Sequence, residues 1–174
     1  ETFDLVRELR PFWSYFSIAM PYPGTAMFDE AKKNDLFLFD PDDLDSYDRR
    51  KAECIKSAEW TYQDLKRMVY DLNIEMNFLN NPYSDTAQHR AYLIAHIKKL
   101  MRRYPDHVIM RIVTGYLNKL QGEIGACHAY YKSARDLLRD ESIADTYGRY
   151  LEWEHPIIQD FNAYRAAPDS PPDA

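Results

Sequence analysis

The residues whose types could do chemistry are few in this chain and lie far apart. Neither of the two cysteines, Cys54 and Cys127, belongs to a Cys-x-x-Cys pair or to a cluster with histidines. Zinc and iron–sulfur sites need three or four such ligands close together, so we expect no metal site built from this chain alone. A disulfide between the two cysteines is the alternative to two free thiols, and a free buried thiol is the commoner state in a reducing compartment.

The histidines form no catalytic pattern either. His89 and His96 lie seven positions apart and could share one face of a predicted helix. Two histidines alone make a poor metal site, so packing or surface roles are predicted for both. His128 directly follows Cys127, and neighbouring residues on a helix point apart, which argues against a nucleophile–base pair. We therefore predict no catalytic residue in this chain.

Clustered aspartates at residues 40–45 could suggest a calcium site. A calcium-binding loop requires alternating oxygen ligands, a central glycine and a final glutamate, and none of these is in place here. The stretch is instead predicted to be a solvated loop at a domain boundary.

One stretch does point to a binding site, because a strand-like run ends there in a stiff turn. Residues 12–20 are continuously apolar and aromatic, which fits a strand buried on both faces better than a helix. The turn that follows consists of Pro21, Tyr22, Pro23, Gly24 and Thr25. Its prolines fix an extended chain, its glycine permits a tight turn or close approach to a ligand, and its threonine can cap a helix. Loops at the carboxyl ends of strands are where α/β folds keep their active sites.

The chain after residue 60 has the periodicity of helices. Thr61 and Asp64 have the spacing of a helix cap, and an apolar stripe follows to Leu79. Two further stripes, at residues 108–120 and 124–138, predict a helical hairpin. Within this hairpin, small and aromatic residues resemble those of a tetratricopeptide repeat, in which small residues let two antiparallel helices approach closely; they are Gly115, Gly122, Cys127, Tyr131 and Ala134.

The match to that repeat is partial. Arg111 and Asn118 stand where the motif prefers large apolar or aromatic residues. A true array needs at least three repeats, and the chain offers one good pair of helices with a degenerate pair before it.

Residues 1–35 resemble the last βα unit of the barrel of the cobalamin-binding radical S-adenosylmethionine enzymes. The resemblance consists of a helix at residues 1–9, a proline, a strand, the turn 21–25 and a second helix, in that order. It implies that this chain is a C-terminal portion of such an enzyme, since the three-cysteine motif and the cobalamin domain would lie before Glu1. The first residue, which is not Met, agrees with that expectation.

The same resemblance implies a cofactor contact at the end of the strand. Ile18, Ala19, Met20 and Pro21 would border the S-adenosylmethionine site, while a 4Fe-4S cluster and cobalamin would be held by the parent enzyme. This chain lacks the cluster cysteines and would not be catalytic on its own. Its partners would be the upstream barrel of the same polypeptide and, through the helical domain, another protein.

The predicted fold is therefore mainly α: a tetratricopeptide-like bundle of helical hairpins preceded by a short helix–strand–helix remnant of a (β/α) barrel. The predicted divisions are a barrel unit at 1–45, a linker at 46–60, a helical accessory domain at 61–165 and a disordered tail at 166–174. The alternative function is a helical-repeat module that binds a protein or peptide in a groove.

Composition excludes other classes of protein. A net charge of -6 argues against nucleic-acid binding, which usually demands a basic face. The sequence contains no run of about 18 apolar residues, so no transmembrane helix is expected. It also shows no signal peptide. A cytoplasmic location is expected.

Overall fold

The computed structural model describes residues 2–43, 45, 47 and 54–167. Its described residues contain eight α-helices and no β-strand, which confirms the prediction of a mainly helical chain. The helices are α1 (Thr2–Leu9), α2 (Ala26–Lys33), α3 (Tyr62–Ile74), α4 (Ala87–Met101), α5 (Val108–Leu120), α6 (Ile124–Leu137), α7 (Glu141–Tyr147) and α8 (Pro156–Ala166).

The chain divides into two compact units. The small unit is Tyr15–Asn73, and the helical unit combines Glu1–Ser14 with Ile74–Ala174. This division by packing differs from the division made from sequence, because the first fourteen residues pack with the distant helices. The family resemblance groups them with residues 15–45 in one barrel unit, and that grouping stays a prediction. Of the predicted tail, residues 168–174 lie outside the described part of the chain, as do 46 and 48–53 of the predicted linker.

The centre of the helical unit is the hairpin of α5 and α6. Arg111 on α5 donates from Nε to Ser133 Oγ on α6 over 2.8 Å, while Gly115, one turn later, faces Tyr131 and the carbonyl of Cys127. The numbers of the contacting residues increase along α5 while they decrease along α6, so the two helices are antiparallel. The close approach that the small residues predict is therefore present.

Helix α8 contacts both helices of this hairpin through the carboxylate of Asp160. Asp160 on α8 accepts a hydrogen bond from the Tyr131 hydroxyl over 2.7 Å and forms an ion pair with Lys119 on α5. Tyr131 is only 1% exposed. Burial and the bond to this carboxylate raise the pKa of the tyrosine far above its ordinary value, so the phenol stays a donor.

The first fourteen residues are held by two buried asparagines. Asn77 accepts from the Ser14 N–H over 2.7 Å and donates to its carbonyl over 2.8 Å. Asn81 donates to the carbonyl of Phe12 over 2.9 Å. Asn77 belongs to a π-helical turn, Glu75–Leu79, that directly follows α3. Both asparagine side chains are 1% exposed, so their amide groups satisfy backbone groups that a strand neighbour would otherwise satisfy.

The small unit begins with residues 15–20, which form no strand with any other described residue. The predicted strand is therefore absent, because a strand requires a neighbour to pair its N–H and C=O groups, and none of the described residues provides one. Its residues are also not buried on both faces: Tyr15, Ser17 and Ala19 are exposed, alternating with half-buried side chains. Such alternation is typical of an extended segment with one covered side.

Local hydrogen bonds form the turn after this segment and the start of α2. The Thr25 N–H bonds to the Tyr22 carbonyl over 3.2 Å, and Gly24 has a φ of 84°, as a type II turn with proline before glycine requires. Thr25 then caps α2, as predicted, by accepting from the Phe28 N–H. An isolated antiparallel bridge joins Phe37 to Ile55.

The acidic stretch at residues 40–45 makes local contacts. Asp42 forms an ion pair with Lys32 over 2.6 Å, and Asp40 accepts from the Asp42 N–H over 3.0 Å. No cluster of three metal-binding side chains is found in the described ranges. Among the same residues, no helix is both long enough and apolar enough to cross a bilayer.

Candidate functional site

The small unit contains an open cleft of about 540 Å³. One wall is the extended segment, residues 17–20 together with Tyr22, and the opposite wall is α3. Cys54 contributes to the floor between them. The cleft is the clearest concave site whose lining includes residues singled out from the sequence.

The extended wall carries most of the predicted cofactor residues. Ile18, Ala19 and Met20 line the cleft, whereas Pro21 is buried and lies outside the lining. The turn at residues 22–25 ends this wall by reversing the chain into α2. The structure thus brings three of the four residues to one concave surface, and their role in holding a cofactor stays a prediction.

The α3 wall was missed from sequence. Lys66, Val69, Tyr70 and Asn73 line the cleft, and their spacing of three or four places them on one helix face. Val69 belongs to the apolar stripe predicted from the sequence, but Lys66, Tyr70 and Asn73 beside it carry no signal in the sequence that this face borders a cleft. Because α3 forms one wall of the cleft, the cap at its start helps to position that wall.

That cap is reciprocal, as predicted. The Asp64 carboxylate accepts from the Thr61 N–H over 2.9 Å and from the Thr61 hydroxyl over 2.7 Å, while the Thr61 hydroxyl oxygen accepts from the Asp64 N–H. These hydrogen bonds from Thr61 lower the pKa of the Asp64 carboxyl. This pair fixes the first turn of α3, and Lys66 follows directly after that turn.

Cys54 is not placed as a nucleophile. It is a free thiol, 3% exposed, and burial raises its pKa above the ordinary value. A reactive cysteine needs the opposite shift, from a neighbouring cation or base. Cys54 therefore acts as a small apolar surface at the floor of the cleft.

The formal charge among the described lining residues comes from Lys66. The other described lining residues are serine, alanine, isoleucine, methionine, valine, tyrosine, cysteine and asparagine. Two other lysines of the small unit are neutralised by carboxylates, Lys32 by Asp42 and Lys56 by Asp35. Within the described ranges Lys66 has no ion-pair partner, and its Nζ lies 5.5 Å from the ring centre of Tyr62.

The other residues weighed from sequence lie in the helical unit and pack. His96 stands against Trp13 at 4.6 Å between ring centres, and His89 against Tyr83 at 4.5 Å. Cys127 is a buried free thiol and His128 is exposed, so the adjacent pair points apart as expected.

The side chains of this chain match only part of what S-adenosylmethionine and a 4Fe-4S cluster would require. Ile18, Ala19 and Met20 offer an apolar wall suited to the flat ring of S-adenosylmethionine. None of the described lining residues offers a carboxylate to the cationic end of that cofactor, and two cysteines cannot supply a three-cysteine cluster motif. Comparison with known protein families, with curated proteins and with solved structures finds no match. Function is accordingly proposed from the residues and their geometry.

Proposed function

We propose that this chain is the C-terminal part of a radical S-adenosylmethionine enzyme of the cobalamin-binding type. In this proposal α1, the extended segment and α2 form the last βα unit of the barrel, and the helices from α3 onward form an accessory domain. The chain is not catalytic by itself, because the cluster cysteines and the cobalamin domain belong to upstream sequence. The upstream barrel of the same polypeptide is its first partner.

The observation that carries the proposal is an order of elements together with large apolar side chains that are exposed to solvent. A helix, an extended aromatic segment, a type II turn and a capped helix follow one another as in a βα unit. Tyr15 is 95% exposed, and on α1 Leu5 and Leu9 are 53% and 67% exposed. In a closed barrel, neighbouring strands and helices cover such side chains. Their exposure supports the presence of a larger partner surface.

The residues of this chain have limited roles in the proposed enzyme. When bound in the parent enzyme, S-adenosylmethionine would supply the radical that starts the reaction. Ile18, Ala19, Met20 and Pro21 would border its site, the first three offering an apolar surface that excludes water and Pro21 fixing the backbone that presents them. A cytoplasmic location is part of the proposal and is supported by the two free thiols.

The sequence encoded upstream of Glu1 tests this proposal. We expect a three-cysteine cluster motif there, within the earlier strands of a barrel, and a cobalamin-binding domain before it. An upstream sequence with no three-cysteine motif would refute the proposal that this chain is part of a radical S-adenosylmethionine enzyme.

A helical-repeat interaction module is a second candidate, favoured by the close packing of Gly115 against Tyr131. Hairpins of this kind stack into surfaces that bind peptides or proteins. The full chain, used as bait, should retain one defined partner, and binding should be lost when the α5–α6 hairpin is disrupted by Gly115→Ala. Failure to retain any partner would contradict this second function without affecting the first.

A further inference from the structure

We propose that the cleft of the small unit binds a small anionic ligand with a flat apolar body, and that Lys66 takes the anionic group. The ligand class is an aromatic or similarly flat molecule carrying a carboxylate, sulfonate or phosphate. This inference goes beyond the proposed function, because its anion site at Lys66 is not used there and does not require a radical enzyme, although Ile18 and Met20 belong to both proposals.

The first argument is size and lining. Ligand sites in proteins measure about 300–1,000 Å³ and are mostly apolar, with a few polar groups that fix orientation. The cleft, at about 540 Å³, falls in that range. Ile18 and Met20 on one wall and Val69 and Tyr70 on the other provide apolar surface for a flat ring.

The second argument is the sign of the charge. Lys66 is the one charged side chain among the described residues of the lining, in a chain whose net charge is -6. Lys32 and Lys56, by contrast, already face carboxylates at 2.6 and 2.9 Å. Among the described lining residues, a ligand anion at Lys66 meets no competing carboxylate, whereas a cationic group placed at Lys66 itself is repelled.

The third argument is position. Lys66 lies one turn before Val69 and Tyr70 on the same face of α3, so a ring held by those side chains directs its anionic group toward the start of the helix. The start of α3 is fixed by the cap of Thr61 and Asp64. The Lys66 Nζ lies 5.5 Å from the ring centre of Tyr62, toward the start of the helix, and the carboxylate of Asp64 is engaged with Thr61.

Three probes with the same ring distinguish this proposal from non-specific apolar binding: 1-naphthoate, 1-naphthylmethanol and 1-naphthylmethylammonium. Each is titrated into the full chain at low salt near neutral pH, and binding is followed by backbone amide shifts in an NMR spectrum. We expect 1-naphthoate to bind about three- to tenfold more tightly than the cationic probe, as a partly exposed charge pair allows. The shifts should cluster at residues 17–22 and 66–73.

Matched variants identify the residue responsible. Lys66→Gln should remove the preference for the anion and leave binding of the neutral probe unchanged. Lys33→Gln, on α2 and outside the cleft lining, makes the same change in net charge and should leave the preference intact. Since Lys66 is exposed, its replacement should leave the fold intact, and an unchanged amide spectrum away from the cleft verifies this.

Four results would overturn the proposal: no binding of any probe, equal binding of anion and cation, an unchanged preference in the Lys66 variant, or an equal loss in both lysine variants. A missing upstream cysteine motif would refute the proposed enzyme and leave this binding test unaffected, so the two failures are distinguishable.

Discussion

Replacing Gly115 by alanine tests whether the α5–α6 hairpin is as tightly packed as its geometry indicates. A Cβ built at Gly115 would lie 2.5 Å from Tyr131 Cδ1, 2.6 Å from its Cε1 and 3.3 Å from the Cys127 carbonyl oxygen. The tyrosine ring cannot move aside freely, because its hydroxyl donates to Asp160 over 2.7 Å. One of the two helices must therefore shift, or that hydrogen bond must break.

The expected magnitude follows from opposing contributions. Forcing an extra methyl group into a packed core costs about 1–3 kcal/mol, and disturbing the bond between tyrosine and aspartate costs roughly 1 kcal/mol more. Alanine recovers about 1 kcal/mol through its better helix propensity. Gly115→Ala should therefore lower the free energy of unfolding by about 2 kcal/mol.

Gly125→Ala is the matched control, because Gly125 lies on α6 and a Cβ there meets nothing within 4 Å. It should leave the free energy of unfolding unchanged or raise it by up to about 1 kcal/mol. Urea unfolding followed by far-ultraviolet circular dichroism measures both variants against the wild type. If Gly115→Ala proved as stable as Gly125→Ala, the close packing of the hairpin would be refuted.

Two further predictions concern groups buried in the helical unit. His107 caps α5 as a neutral ring, and burial lowers its pKa from 6.5 to about 4. As the pH falls from 6.5 towards 4, the histidine of the unfolded chain takes up a proton before that of the folded chain. The free energy of unfolding should therefore decrease over this range, by up to about 3 kcal/mol. His107→Asn keeps a capping side chain and should flatten that pH dependence in urea melts. Asn77→Ala removes both bonds to the Ser14 backbone and should cost about 2–3 kcal/mol, whereas the exposed Asn34→Ala should cost less than about 1 kcal/mol; equal costs would contradict the anchoring role of Asn77.

Much of the local structure was predictable because its causes are local. Thr25 and Thr61 cap their helices as their neighbours in sequence indicate. The α5–α6 hairpin follows from apolar stripes and small residues at the right spacing. In each case the interacting groups lie within a few residues of one another, or on two helices joined by a short turn.

The missed features depend on partners far away in sequence. Asn77 and Ser14 are distant along the chain, and nothing in either residue type reveals that a side-chain amide will pair with that backbone. The strand predicted at residues 12–20 has the composition of a buried strand, but a strand also depends on a neighbour, which no described residue supplies.

Only one wall of the cleft could be predicted from the sequence, for the same reason. Ile18 to Met20 could be singled out because a distinctive turn follows them. The α3 wall could not, since Lys66 and Tyr70 look like ordinary residues on the solvent-facing side of an amphipathic helix. Only the fold shows that this face lies opposite the extended segment.

Amide hydrogen exchange at residues 15–20 tests the central claim, that this segment is a barrel strand whose neighbours belong to upstream sequence. The exchange rates are measured in this chain alone and in the full-length polypeptide, with the buried core of α5 as the reference that is slow in both. The proposal predicts fast exchange in this chain and strong protection in the full-length protein, where neighbouring strands bond these amides. Equally fast exchange in both would contradict it.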